Sequence, residues 1–124
     1  MYRNCVGASG CGCDDLCDEI YETMVVSELI KWIKSTAQEA EVYFYRTRSG
    51  MEVDLLIAFP GGIIGVEIKN QTTVDASDCR SMREVAAALG KEWLGGLCIY
   101  RGRQIRRLGE PSLWALPSFR LFGL

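Results

Sequence analysis

The chain has 124 residues, of which 48% are apolar and 24% charged, with 13 Gly, 3 Pro and a formal net charge of −2. This composition excludes intrinsic disorder and fits one globular domain with a single layered core. No apolar run approaches the roughly 18–20 residues of a membrane-spanning helix, and the start lacks a secretory signal, so a cytoplasmic protein is expected. Histidine is absent. That removes Ser-His-Asp and Cys-His nucleophiles, His-relayed phosphate chemistry and His-bound zinc, leaving carboxylates, lysine, thiols or a bound cation as chemical agents.

In chain order, residues 1–17 read as an irregular, Cys-rich lead-in to one domain over 18–124. Cys5, Cys11, Cys13 and Cys17 follow a C-x5-C-x-C-x3-C spacing. Four thiolates suffice for structural zinc, but the paired C-x2-C knuckles of such sites are missing, so reduced thiols in a mobile tail are the expected reading. From about Asp15 to Thr36, Tyr21, Met24, Val25, Leu29, Trp32 and Ile33 recur at helical spacing. Three strand-like runs follow, Val42–Arg46, Met51–Phe59 and Ile63–Lys69, punctuated by Ser49-Gly50 and Pro60-Gly61-Gly62. A second helix spans about Ala76–Leu89, capped by Asp75 and stopped by Gly90, with Cys79, Met82, Val85, Ala86 and Leu89 on its apolar face. Leu94–Arg101 and Gln104–Leu108 are the next strands, Cys98 is a small core residue, and an apolar tail closes the chain. The predicted order is α-β-β-β-α-β with a C-terminal β-hairpin element.

Charge is uneven along that order. Residues 1–41 carry 3 basic and 8 acidic groups, and residues 42–124 carry 11 and 8. Arg46, Arg48, Arg101 and Arg103, with Arg106 and Arg107 beyond them, are candidates to hold a nucleic-acid backbone. A solvated strand edge explains the same arginines equally well, and an acidic protein lacks the usual nucleic-acid footprint.

The informative segment is Glu52-Val53-Asp54 followed by Glu67-Ile68-Lys69. A hairpin closed at Pro60-Gly61-Gly62 has one register in which opposing residue numbers sum to about 121. It places Val53, Leu55 and Ile57 opposite Ile68, Val66 and Ile64 on one face. The neighbouring register drives Lys69 and Glu67 into the aliphatic layer. The favoured register sets Asp54 opposite Glu67 and Glu52 opposite Lys69 on the other face. Opposed like charges cost up to about 1 kcal/mol, so Asp54 and Glu67 call for a shared proton or a divalent cation. By the same logic, Asp54→Asn is expected to match or exceed wild-type stability without metal, by up to about 0.5–1 kcal/mol. The bland alternative, exposed charges on a half-solvated hairpin, fits poorly with the run Leu55–Phe59, which suggests cover on both faces. Glu22 and Glu28 both fall outside the polar sector of the first helix; either they are capping or rim positions, with Glu28 paired to Lys31 or Arg46, or one of them reaches the same cavity.

These residues resemble a known pattern. An acid on the first helix, Asp54 on the second strand and Glu67-Ile68-Lys69 on the third are similar to the PD-(D/E)XK nuclease superfamily, with Val53 where the superfamily often has Pro. More narrowly, Tyr21-Glu22…Glu28-Leu29, Tyr43-Phe44-Tyr45-Arg46…Gly50-Met51-Glu52-Val53-Asp54 and Gly65-Val66-Glu67-Ile68-Lys69-Asn70 resemble one family. It is the C-terminal domain of unknown function that follows the ATPase module in many predicted prokaryotic AAA-type ATPases. The likeness covers about Glu19–Phe122, carries no ATPase module, and so implies a stand-alone or truncated form. It implies a restriction-endonuclease-like α/β core, a central mixed sheet flanked by helices. It also implies Mg²⁺ or Mn²⁺ held by Asp54, Glu67 and Ile68, with Lys69 placing or activating the attacking water and Glu22, or else Glu28, as the helix acid. The expected function is metal-dependent phosphodiester hydrolysis, with DNA as substrate. The alternative is a catalytically silent binding, regulatory or oligomerisation module, the last through an apolar tail bearing Trp114, Phe119 and Phe122.

Overall fold

The computed structural model describes residues 11–36, 39–46 and 52–122. Helix α1 (Cys11–Thr36) leads into strands β1 (Glu41–Arg46), β2 (Glu52–Phe59) and β3 (Gly62–Ile68). A 3-10 turn over Ala76–Cys79 opens α2 (Arg80–Leu89), followed by β4 (Trp93–Tyr100), β5 (Arg106–Gly109), β6 (Leu113–Pro117) and the short α3 (Phe119–Phe122). The six strands form one mixed sheet in the order β1-β2-β3-β4-β6-β5. β1–β2–β3 is an antiparallel meander, β4 lies parallel to β3 and to β6, and β5 runs antiparallel to β6 at the far edge. This is the mixed α/β sheet flanked by helices that the family resemblance implies.

Each sheet face carries its own apolar layer. Val25, Leu29 and Ile33 recur every four residues along α1 and pack against Leu55, Ile57, Val66, Ile68 and Ile99. That single-file stripe is narrow: Met24 and Trp32, expected to be part of it, stand half exposed. On the other face Met82 and Val85 of α2 meet Val53, Cys98, Leu113 and Ala115. The start of α2 is fixed by a reciprocal capping box, in which Asp75 accepts from Ser77 N and Asp78 accepts from Asp75 N.

The β2–β3 ladder pairs Leu55 with Val66, Leu56 with Gly65 and Ile57 with Ile64, the register chosen from the aliphatic pattern. Val53 departs from it. Along β1–β2, Tyr43 pairs with Leu56 but Tyr45 pairs with Val53, so Asp54 and Leu55 together oppose the single residue Phe44. That bulge breaks the alternation of β2, and Val53 joins the α2-side layer while Leu55 faces α1.

Two further expectations change. Helix α1 begins at Cys11, so residues 11–17 are helical rather than an irregular lead-in, and Cys17 is exposed on that helix. Cys5 and the side chains of Cys11 and Cys13 lie outside the described residues. The apolar tail is largely β6, inserted between β4 and β5 with Leu113 and Ala115 buried, although Trp114, Phe119 and Phe122 remain partly exposed. Among the described residues no helix is long and apolar enough to cross a membrane.

Gly96 of β4 is required by packing. A Cβ there would lie 2.8 Å from Leu113 Cδ2 and from Met82 Sδ, and 3.0 Å from the Trp93 ring. Gly96→Ala should therefore destabilise the fold by about 1–2 kcal/mol, read as a lower urea midpoint with an unchanged slope.

Candidate active site

The bulge and the end of β3 set Asp54 near enough for its charge to act on Glu67, although the β2–β3 ladder stops at Leu55–Val66 and does not pair the two acids. Asp54 Oδ2 accepts a 2.7 Å hydrogen bond from Ile68 N, immediately past the last residues of the β2–β3 ladder. The Asp54 carboxylate is thereby locked against the strand that carries Glu67. Glu67 points to the α2 side, where it is 8% exposed. Its Oε1 is buried with no hydrogen-bond partner. Its Oε2 lies 3.5 Å from Lys69 Nζ. Burial pushes the Glu67 carboxyl up to about 7; Lys69 opposes the shift, and the negative charge of Asp54 adds to it.

Lys69 is also half-buried. Burial disfavours its charge, but Glu67 and Asp78 outweigh that effect and hold the ammonium above its ordinary range. Its backbone is pinned by Lys69 N donating to Ile99 O at 2.8 Å. The expected partner, Glu52, has its side chain outside the described residues, and the amine pairs with Glu67.

Helix α1 decides between its two acids. Glu22 lines a cleft of about 470 Å³ together with Asp54. It also lines a second cleft of about 340 Å³ with Lys69 and Asn70. It thus stands between an opening that holds Asp54 and one that holds Lys69, while Glu67 lines neither. Glu28 does not: it is bonded to Lys31 at 3.2 Å on the outer side of the helix. The ion pair with Lys31 is the rim reading of Glu28.

Of the candidate arginines whose side chains are described, Arg101 is tied to this end of the sheet. Its Nε donates to Asn70 Oδ1 at 2.6 Å, and Asn70 Nδ2 donates to Asp18 Oδ1 at 2.7 Å. Arg103 is exposed, Arg106 donates to Val74 O, and Arg107 pairs with Glu110 and sits over the Trp114 ring. The side chain of Arg46 and all of Arg48 lie outside the described residues.

Sequence reasoning overlooked Asp18, although it precedes Glu22 by one helical turn, and Asp78, whose signal is the Asp75-x-x-Asp78 capping pattern. It read Cys79 and Cys98 as core residues, and both are fully buried. Cys98 pairs laterally with Glu67, and contact with Cys79 together with burial raises its thiol far above the ordinary range.

Among the described residues no three acidic or thiol groups form a ready-made metal cluster. The donors nonetheless suit a hard cation, because Glu67 has one orphaned buried oxygen and an adjacent carboxylate in Asp54. The Asp54→Asn expectation shifts in turn. Asp54 is held by a backbone amide, which offsets the relief that loss of its charge would bring.

Residues 18–119 match the family model described as a domain of unknown function, DUF4143, and the chain belongs to that family. No curated protein and no solved structure matches the chain.

Proposed function

We propose that this chain is a metal-dependent phosphodiesterase of the PD-(D/E)XK type acting on DNA. The observation that carries the reading is the buried, unpartnered Oε1 of Glu67 beside Asp54 and Lys69. A carboxylate kept out of water with an empty acceptor is costly unless something positive is meant to meet it. Mg²⁺ or Mn²⁺ held by Asp54, Glu67 and the Ile68 carbonyl would supply Lewis-acid stabilisation of the phosphate. Lys69, whose positive charge Glu67 and Asp78 favour, would act at the same site. Its ammonium steadies the attacking water and the charge growing on the phosphate. Glu22 approaches from α1 and bounds both clefts, and Arg101, braced by Asn70, is placed to grip a flanking phosphate.

A second reading, a silent binding module, draws on one observation. The Lys69 ammonium already lies beside Glu67 Oε2 and offsets part of its charge. Calorimetric titration with Mn²⁺ and cleavage of labelled DNA distinguish the two. Wild type should bind the cation and cut, while Asp54→Asn should lose binding and at least about 100-fold in rate. No heat at millimolar metal together with no cleavage would leave the silent module standing.

A further inference from the structure

The 470 Å³ cleft has a wall that hydrolysis of a phosphodiester does not require. Phe44 is 73% exposed, the largest exposure among the large hydrophobic residues described. It lies on edge strand β1, opposite the Asp54–Leu55 bulge. Facing the α1 side, it lines the same cleft as Asp54, Glu22, Thr23 and Ser27. Folding gains little from a phenyl ring left in water, and neighbouring positions show the alternative. Tyr45 packs on the core, and Val42 packs on the opposite layer.

We propose that Phe44 is a stacking platform for an unpaired nucleobase of the strand whose phosphate reaches Asp54. This inference rests on the nucleic-acid reading above and narrows its substrate to single-stranded or frayed ends. The cleft combines an aromatic plate with hydroxyl and carboxylate groups on α1. That combination suits a flat ring with an apolar face and a hydrogen-bonding edge. An aliphatic ligand would leave the Thr23 and Ser27 hydroxyls unanswered, and a base inside a duplex has no free face to offer. The bulge supplies the registration. Setting two β2 residues against Phe44 keeps the acid and the ring at one level of the sheet, so base and phosphate of adjoining nucleotides are engaged together.

The test uses a short single-stranded DNA containing 2-aminopurine and a duplex of the same sequence, with the full chain in Ca²⁺. Wild type should bind the single strand more tightly than the duplex, with 2-aminopurine emission quenched on binding. Phe44→Ala should weaken single-strand binding about 5- to 100-fold and abolish the quench, leaving duplex affinity and the unfolding midpoint unchanged. Phe44→Tyr should retain both signals. Equal single-strand binding by wild type and Phe44→Ala overturns the platform. So does a wild type that binds no single strand, whether or not it cleaves duplex DNA in Mn²⁺. Duplex cleavage in that case preserves the phosphodiesterase reading, whereas loss of cleavage and of Mn²⁺ binding removes both.

Discussion

Replacing Glu67 by glutamine should stabilise the metal-free protein at pH 8 and change it little at pH 4. In the folded chain the carboxyl is pushed from an ordinary 4.5 to about 7, chiefly by burial. The folded state therefore holds a proton that the unfolded chain releases, and wild-type stability declines as pH rises through that interval. Below 4.5 both states are protonated and no penalty arises; above about 7 it is complete. The interval corresponds to a penalty on the order of 3 kcal/mol. Glutamine keeps the shape and removes the charge, but it also loses the Lys69 pair, so a gain of about 1–3 kcal/mol at pH 8 is expected. Urea unfolding from pH 4 to 8 in a chelator measures it. A glutamine variant that is less stable than wild type at pH 8 would mean that Lys69 fully compensates the buried charge. Adding Mn²⁺ should reverse the ranking, since a cation that binds only the folded wild type stabilises it by mass action.

Asp54 is expected to separate structure from chemistry. Asp54→Ala removes the acceptor of Ile68 N and should cost about 1–3 kcal/mol, because that amide is left without its partner. Asp54→Asn can still accept through its amide oxygen, and relief of the repulsion on Glu67 works in its favour, so it should stay within about 0.5 kcal/mol of wild type. Both substitutions should abolish Mn²⁺ binding. Denaturation and calorimetry on the same two variants check this. If alanine were as stable as asparagine, the Ile68 hydrogen bond would carry no weight in folding.

The hairpin register was legible because aliphatic side chains at Leu55, Ile57, Ile64 and Val66 permit only one pairing that keeps charge out of their layer. Val53 was misassigned because the bulge belongs to the β1–β2 pairing, which a hairpin considered alone does not contain. Asp54, Glu67 and Lys69 stood out in the pattern of β2 and β3, but their expected pairings lie beyond the ladder and the depth of Glu67 was not legible. Its burial comes from α2 and β4, elements joined to the hairpin only through a parallel crossover. Between the two readings of Glu28 the local one holds, since Lys31 three residues on offers it a partner. Strand β6 escaped notice because Leu-Trp-Ala-Leu-Pro lacks a clear polar alternation, as befits a strand held between β4 and β5.

The bulge at Asp54–Leu55 also bears on how the sheet ends. β1 is an edge strand whose outer rim offers backbone donors and acceptors to any passing chain, the usual route to intermolecular strand addition. An extra residue in its partner increases the local twist and interrupts the straight run of β1 after Tyr43. A flat, six-residue aromatic edge would otherwise be a template for aggregation. The opposite edge is guarded differently, by the shortness of β5 and the paired charges of Arg106 and Arg107. The irregularity that sets an acid beside an exposed ring therefore also blunts the edge most exposed to self-association.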